Sequence, residues 1–478
     1  MKHAQDQANA YGKDVFLFDN GDIVDGTGLS NVADDHCSNI LPLYQRVPFD
    51  ALNCGNHELY DGRTMESLAA SGFIRSWNGR YLTSNLLNAT TGQPLGSRFT
   101  TLHGDFSGVD LLVFGFMYNM TVAEGRSDAI DVVSVEETLV SDWFQQALSV
   151  EGKAADAIVL LAHMDALEPH IAQIVEAIRK VLPAIPVQVF AGHSHKRQNL
   201  TLDERATVFE PGNFFNTLGF ASFDLPSPGD TQTAVNFELQ NIDTNVQTMA
   251  SIFEMSPVSF PTPEGYKFTQ EVEVVRNELG LTTVLGCVKQ FYGGAPLLDL
   301  YMSEIMTNFL LQPPKNSSQW FMQSSGSLRY EVYKGNFTVD DVYKVLPFRD
   351  HFFTVQNLKG DTLKNLLDTL NVNPFPPLLG ARGPKHACHA TQTCLPNQQA
   401  GTFAPTPLPP LYGSTNNNPV AEDTFDGVFA TFDVPLVKQT LEGIVGHPVV
   451  VQPFRPELTD TIVMQKWAAA SLGGPCSP

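Results

Sequence analysis

The residues best suited to chemistry gather in two short blocks. One is GNHE within LNCGNHELYDG, where Asn56, His57 and Glu58 follow Gly55; the other is GHSH, where His193 and His195 follow Gly192. Two further positions share their setting: Asp22 in NGDIVDG and His163 in LLAHMD each close an apolar run. Asp, Asn and His supply the oxygen and nitrogen ligands that suit Zn, Mn or Fe. Gly21, Gly55 and Gly192 let the backbone approach an ion or a phosphate with no Cβ in the way. Read singly, each of these residues is a turn residue or an ordinary histidine. Four such blocks in series are another matter, and together they outline a candidate metal centre.

Positioning that centre requires strands that end where the blocks begin. The runs DVFLFDNGD, RYLTSNLL, VDLLVFGFM, AIVLLAHMD and VQVFAGHSH read as buried strands with polar ends. Helical patterns such as SVEETLVSDWFQQAL and EPHIAQIVEAIRKVL lie between them. Strand and helix in alternation are the mark of an α/β fold, whose ligands gather where the strands end. A polar and Pro-containing linker at residues 248–265 precedes a new helical pattern, YKFTQEVEVVRNELGL. The expected organisation is therefore a catalytic domain over residues 1–254 and a second domain over 255–478, with a Pro-rich loop at about 373–422.

The bulk numbers narrow the function. With 478 residues, 43% hydrophobic and 17% charged, the chain has enough apolar material for two globular cores. A net charge of −22 argues against a nucleic-acid polymer as partner, yet leaves room for a small phosphorylated substrate beside a metal ion. No apolar run is long enough to span a membrane, and the polar start MKHAQDQANAYGKD is no signal peptide. Five N-x-S/T sequons, at Asn88, Asn119, Asn199, Asn316 and Asn336, and six cysteines nevertheless fit an oxidising, secretory setting. Six cysteines allow fifteen pairings; Cys37–Cys54 and Cys388–Cys394 are the pairs expected here. KHACHATQTC, at 385–394, reads as a disulfide loop rather than a metal site.

The four blocks resemble the calcineurin-like metallophosphoesterase family. Their order, with a second domain behind them, is similar to its 5′-nucleotidase branch, especially fungal secreted or vacuolar members carrying GNHELY. The resemblance covers residues 14–220 strongly and 265–478 more weakly. It implies an N-terminal α/β sandwich of two sheets flanked by helices and a C-terminal α/β substrate domain. It further implies two divalent cations, Zn, Mn or similar, bridged by Asp22. Asn56, His163 and His193 would hold one cation and His195 the other, with His57 as the catalytic histidine and Asn56 also touching the phosphate. Two cations of this kind clamp the attacking and leaving oxygens and make hydroxide available near neutral pH. In the second domain, FMQSSGSLRYEVYKG and VLPFRDHFF resemble substrate-binding blocks. They place Ser324, Gly326 and Arg329 around the ligand and Phe348 against a base. The implied function is a 5′-nucleotidase acting on nucleoside monophosphates.

Three departures qualify that picture. The family opens with D-x-H on its first strand, and that block is absent; a missing N-terminal segment is the expected reason, with a nucleotide-binding pseudoenzyme as the rival. Tyr60, followed by Asp61, stands where many nucleotidases carry an Asp that orients the histidine. Ser324 replaces the usual Asn, and DGVFATFDVPL offers only Phe429 and Phe432 as a second stacking aromatic. The alternative reading is thus a broader phosphomonoesterase or phosphodiesterase, acting on cyclic nucleotides or nucleotide sugars.

Overall fold

A computed structural model of the chain describes residues 1–122, 125–227, 229–231, 233–311, 318–372, 412–415, 419 and 423–477. The expected Cys388–Cys394 pair, the sequon at Asn316 and most of the Pro-rich tract lie outside these residues. The contacts resolve into two units. One contains Met1–Ile23 and Ile40–Gln270; the other contains Val24–Asn39 and the described residues from Glu271 to Val372 and from Tyr412 onward.

The first unit is built on a six-stranded sheet in the order Arg197–Asp203, Ala206–Pro211, Val187–Ala191, Ala157–His163, Asp110–Met117, Phe99–His103. The four inner strands are parallel and the two edge strands antiparallel. A strand's side chains alternate between faces, so a strand buried on both sides must be apolar throughout. Ala157–His163 is buried at every position. Ile158, Leu160 and Ala162 share a core with Leu139, Phe144, Ile174 and Ile178 of the covering helices. Ala157, Val159 and Leu161 share another with Ala51 and Leu82 of a second, three-stranded sheet. That sheet is parallel and consists of Phe18–Asp19, Ala51–Asn53 and Tyr81–Leu82. The expected two-sheet sandwich flanked by helices is therefore present. The long helix Pro169–Val181 starts with Pro at its first turn and carries Arg179 and Lys180 in its last, where the helix dipole favours them. A further hairpin, Thr217–Phe223 with Phe237–Asp243, was not foreseen as strands.

The second unit centres on a five-stranded sheet in the order Tyr412–Ser414, Ser318–Ser324, Thr424–Ala430, Phe352–Lys359, Gln452–Phe454. Tyr412–Ser414 is an edge strand inside the stretch read as loop. Alternation again divides the core: Phe321 and Phe352 pack with Tyr301 and Met464 on one face. Trp320 and Met322 pack with Leu363, Leu366 and Leu441 on the other. Phe429, a candidate stacker, belongs to this second core, 1% exposed and edge-on to Trp320, so it packs rather than binds. Phe432 has no described side chain. Cys287 is bonded to Cys476, and Cys37 and Cys54 are buried thiols, not the expected disulfide.

Candidate functional site

All four blocks of the first unit stand at the carboxyl ends of parallel strands. Asp22 follows Phe18–Asp19, Asn56 and His57 follow Ala51–Asn53, His163 ends its own strand, and His193 and His195 follow Val187–Ala191. Buried amides stitch those ends together. Asn20 donates from Nδ2 to the carbonyls of Ala162 and Phe190, at 2.9 and 3.1 Å, and takes the Asn53 amide on Oδ1 at 3.1 Å. Two glycines permit the closest approach. A Cβ on Gly21 would lie 2.2 Å from the Gly55 nitrogen, and one on Gly55 would lie 2.1 Å from Asp22 Oδ1. Glu58 ties the same loops, accepting from the backbone nitrogens of Asp22 and Gly55 at 2.9 and 2.7 Å.

The side chains then converge. Asn56 Oδ1 lies 2.8 Å from His163 Nε2 and 2.8 Å from His193 Nδ1. Asp22 Oδ2 lies 3.2 Å from His163 Nε2, and Asp22 Oδ1 accepts from the His57 backbone nitrogen at 3.0 Å. His163 Nδ1 faces the Asn20 carbonyl at 2.6 Å, an atom that can only accept, so Nδ1 carries a proton. Burial disfavours a charged His163, but Asp22 overrides it and pushes the imidazole up to about 9. Burial would also raise the Asp22 carboxyl, and the His163 and His57 rings beside it hold it well below the usual carboxylate range. The chemistry of this donor set fits a cation: an amide oxygen, a carboxylate and a ring nitrogen all face one spot, where a proton now satisfies them. Among the described residues no three His, Cys, Asp or Glu side chains meet at metal-binding geometry; the convergence here depends on an amide.

His195 sits against Asn213, whose Nδ2 is 3.3 Å from its Nδ1, and against the Phe214 ring at 5.4 Å. Four backbone positions here are left-handed without being glycine: His193, His195, Phe214 and Phe215, at φ of 72, 62, 52 and 53°. Such strain concentrates at functional sites. Sequence reasoning missed Glu210, fully buried at the end of Ala206–Pro211. It accepts from the Ser194 hydroxyl, from Gln198 Nε2 at 2.8 Å and from the backbone nitrogens of Lys196 and Ala166 at 3.2 and 3.3 Å. A lone carboxylate closing the apolar run ATVF was its signal.

The remaining candidates belong to the second unit. Ser324 and Gly326 form a tight turn, Ser324 Oγ accepting from the Gly326 nitrogen at 3.1 Å. The Arg329 guanidinium lies over the Phe348 ring, 5.7 Å from its centroid. Asp25 also belongs here. It accepts from Asn31 Nδ2 at 2.7 Å and faces His36 Nδ1 at 2.8 Å.

Comparison with known proteins bears on the domains and the fold. Residues 1–197 match the family model for calcineurin-like phosphoesterases. The chain carries a calcineurin-like phosphoesterase domain. Residues 291–406 match a second model, the NAD nucleotidase C-terminal domain, as the resemblance of the second half implied. The phosphoesterase domain and its companion also align with solved 5′-nucleotidases. The enzyme from Candida albicans has a TM-score of 0.84 at 21% identity, over 98% of this chain and 92% of that one. The precursor from Thermus thermophilus has a TM-score of 0.66 at 14% identity, over 99% and 90%. These likenesses establish the fold. Among curated relatives, a secreted protein of Arthroderma benhamiae is 27% identical over 78% of this chain and 63% of its own length. An uncharacterized protein of Saccharomyces cerevisiae is 29% identical over 78% of this chain and 65% of its own. The chain thus spans a little under two thirds of the length of the curated relatives it matches.

Proposed function

We propose that this protein hydrolyses phosphoric ester bonds and that its substrate is a nucleoside 5′-monophosphate. The observation that carries the reading is the convergence of Asp22, Asn56, His163 and His193 beside His57 at the strand ends. Calcineurin-like phosphoesterases generally depend on divalent metals, and the donor set fits one. Asp22, Asn56, His163 and His193 would hold one ion, with His195 and Asp22 toward a second; zinc and manganese suit these ligands. A divalent cation in this place supplies Lewis acidity toward the phosphoryl oxygens and a lowered pKa of water. The chain's own groups do the rest. Asn20 fixes the His163 ring through Nδ1, leaving Nε2 for the ligand side. His57, 8% exposed, would hydrogen-bond a phosphoryl oxygen and give a proton to the departing one.

For the second unit, Ser324, Gly326, Arg329 and Phe348 are the proposed nucleoside contacts, with Arg329 already aligned over the Phe348 ring. The nucleotidase likeness of the fold supports that choice of substrate. A secretory or vacuolar location goes with it, supported by the Cys287–Cys476 disulfide and by exposed sequon residues Asn199 and Asn336. Among the described residues no helix is long and apolar enough to cross a membrane.

The test is phosphate release by the purified protein from AMP, cyclic AMP and UDP-glucose, before and after chelation and after Mn²⁺ or Zn²⁺ is restored. Metal-dependent release from AMP above the others supports the nucleotidase reading. Preference for the cyclic or diphosphate substrate would replace it with a phosphodiesterase. Nucleotide binding without turnover under any metal would replace it with a binding protein.

A further inference from the structure

Two neighbours stand close to the reactive pair Asn56–His57, and they make different contacts. Asp61 caps the next helix. Its Oδ1 accepts from the Arg63 nitrogen at 2.9 Å as the cap of Gly62–Ala70, and its Oδ2 bridges the Arg63 guanidinium at 2.8 Å. Tyr60 looks the other way. One helical turn, His57–Leu59, brings it back over Asn56, four residues earlier. Its hydroxyl accepts from Asn56 Nδ2 at 2.7 Å, and its ring meets the His57 ring edge-on, 5.2 Å between centroids at 75°.

An amide presents two ends of nearly the same shape and opposite polarity. Only the oxygen end can serve beside His163 Nε2 and His193 Nδ1 as a cation ligand; the amide nitrogen there would be a donor with no lone pair to give. Which end faces the histidines is decided at the far side of the amide, by whatever receives the nitrogen. We propose that Tyr60 is a positioning residue for this site: its hydroxyl locks the Asn56 oxygen toward the histidines while its ring braces the His57 imidazole. The inference rests on the phosphoesterase reading above. It assigns to a tyrosine, through a hydrogen bond and a ring edge, the task that a carboxylate after the histidine performs in many nucleotidases.

The two contributions come apart by substitution. Tyr60→Phe keeps the ring edge and removes only the hydroxyl, acceptor and donor together. Partners of this kind typically govern metal affinity by about 10–100-fold. The experiment is calorimetric titration of Mn²⁺ into metal-stripped wild type and Y60F, with melting of both metal-free proteins and turnover at saturating Mn²⁺. The expected result is a dissociation constant raised roughly tenfold or more with an unchanged metal-free melting temperature. Tyr60→Leu, which removes the ring as well, should bring kcat at saturating Mn²⁺ below that of Y60F. Wild-type affinity in Y60F overturns the proposal, and so does a loss of affinity matched by a lower metal-free melting temperature, since the residue would then act through the fold. If wild type binds no Mn²⁺ and cleaves no phosphate ester, the phosphoesterase reading falls and takes this inference with it. Binding by wild type with no change in Y60F sinks this inference alone.

Discussion

Glu210 takes the hydroxyl of Ser194 on both carboxylate oxygens, at 2.7 and 2.8 Å, in a place where neither residue touches solvent. Ser194 lies between His193 and His195, so the strand Ala206–Pro211 holds the GHSH loop through one side chain. The same carboxylate takes Gln198 and the Ala166 nitrogen, and Gln198 and Lys196 both reach Asp165, two residues past His163. Glu210 is thus the hub between the two histidine loops. Glu210→Ala should strand several buried donors and cost about 3–5 kcal/mol, read from urea unfolding. Glu210→Gln keeps the shape and one acceptor oxygen and should cost less. An alanine variant as stable as wild type would remove Glu210 from this role.

His57→Ala should leave the fold intact and depress turnover by about 10²–10⁴-fold. The reason is local: the bond from its backbone nitrogen to Asp22 is one that alanine keeps. Circular dichroism melting together with phosphate release checks both halves. Turnover within a few-fold of wild type would show that the imidazole takes no part in proton transfer.

Asp433 provides a pH dependence with a definite sign. Its Oδ2 accepts from the Ser324 nitrogen at 2.9 Å, while Oδ1 is buried with no hydrogen-bond partner among the described residues. Burial pushes its pKa to about 8, against the pull of the Ser324 bond. The folded chain therefore holds a proton that the unfolded chain releases near its ordinary value of 3.8. The proton's contribution is complete below that ordinary value and is lost as pH rises through the folded one. Asp433→Asn should remove this slope and gain about 1–3 kcal/mol over wild type at mildly alkaline pH. Parallel stability profiles of the two proteins from acid to pH 9 would refute the assignment.

The Cys287–Cys476 bridge closes a loop of 189 residues. Loops of that size lose much chain entropy on cross-linking, so Cys476→Ala should destabilise the second unit by about 2–5 kcal/mol. Melting with and without reductant measures it: reductant should lower the wild-type transition and leave the variant unmoved.

How much of this was legible in the sequence depends on how local the cause is. Ala157–His163 was readable because a strand buried on both faces must be apolar without interruption, and His163 marked where it stops. Asp22, Asn56, His57 and His193 were readable because each follows a strand or a glycine. Glu210 and Asn20 were not, since their roles exist only once separate strands lie side by side. The hairpin Thr217–Phe223 with Phe237–Asp243 was passed over because its residues are only partly buried and lack a clean apolar face. Cys287–Cys476 was missed because its partners are far apart in the chain, and closeness in sequence favoured Cys388 with Cys394. Phe429 showed an aromatic's type but not its burial.

The segment Val24–Asn39 leaves the first unit directly after the Asp22 loop and belongs to the second. There Thr27 and Gly28 donate to Asp340, and Asn31 donates to the Pro347 carbonyl. Chains are made from the amino end onward. This segment therefore emerges from the ribosome more than three hundred residues ahead of its partners Asp340 and Pro347. During synthesis it is an unoccupied strap, and the second unit can close around it only after Asp340 and Pro347 have been made. Cutting the gene in two between the units would leave the second without a segment that only the first half carries.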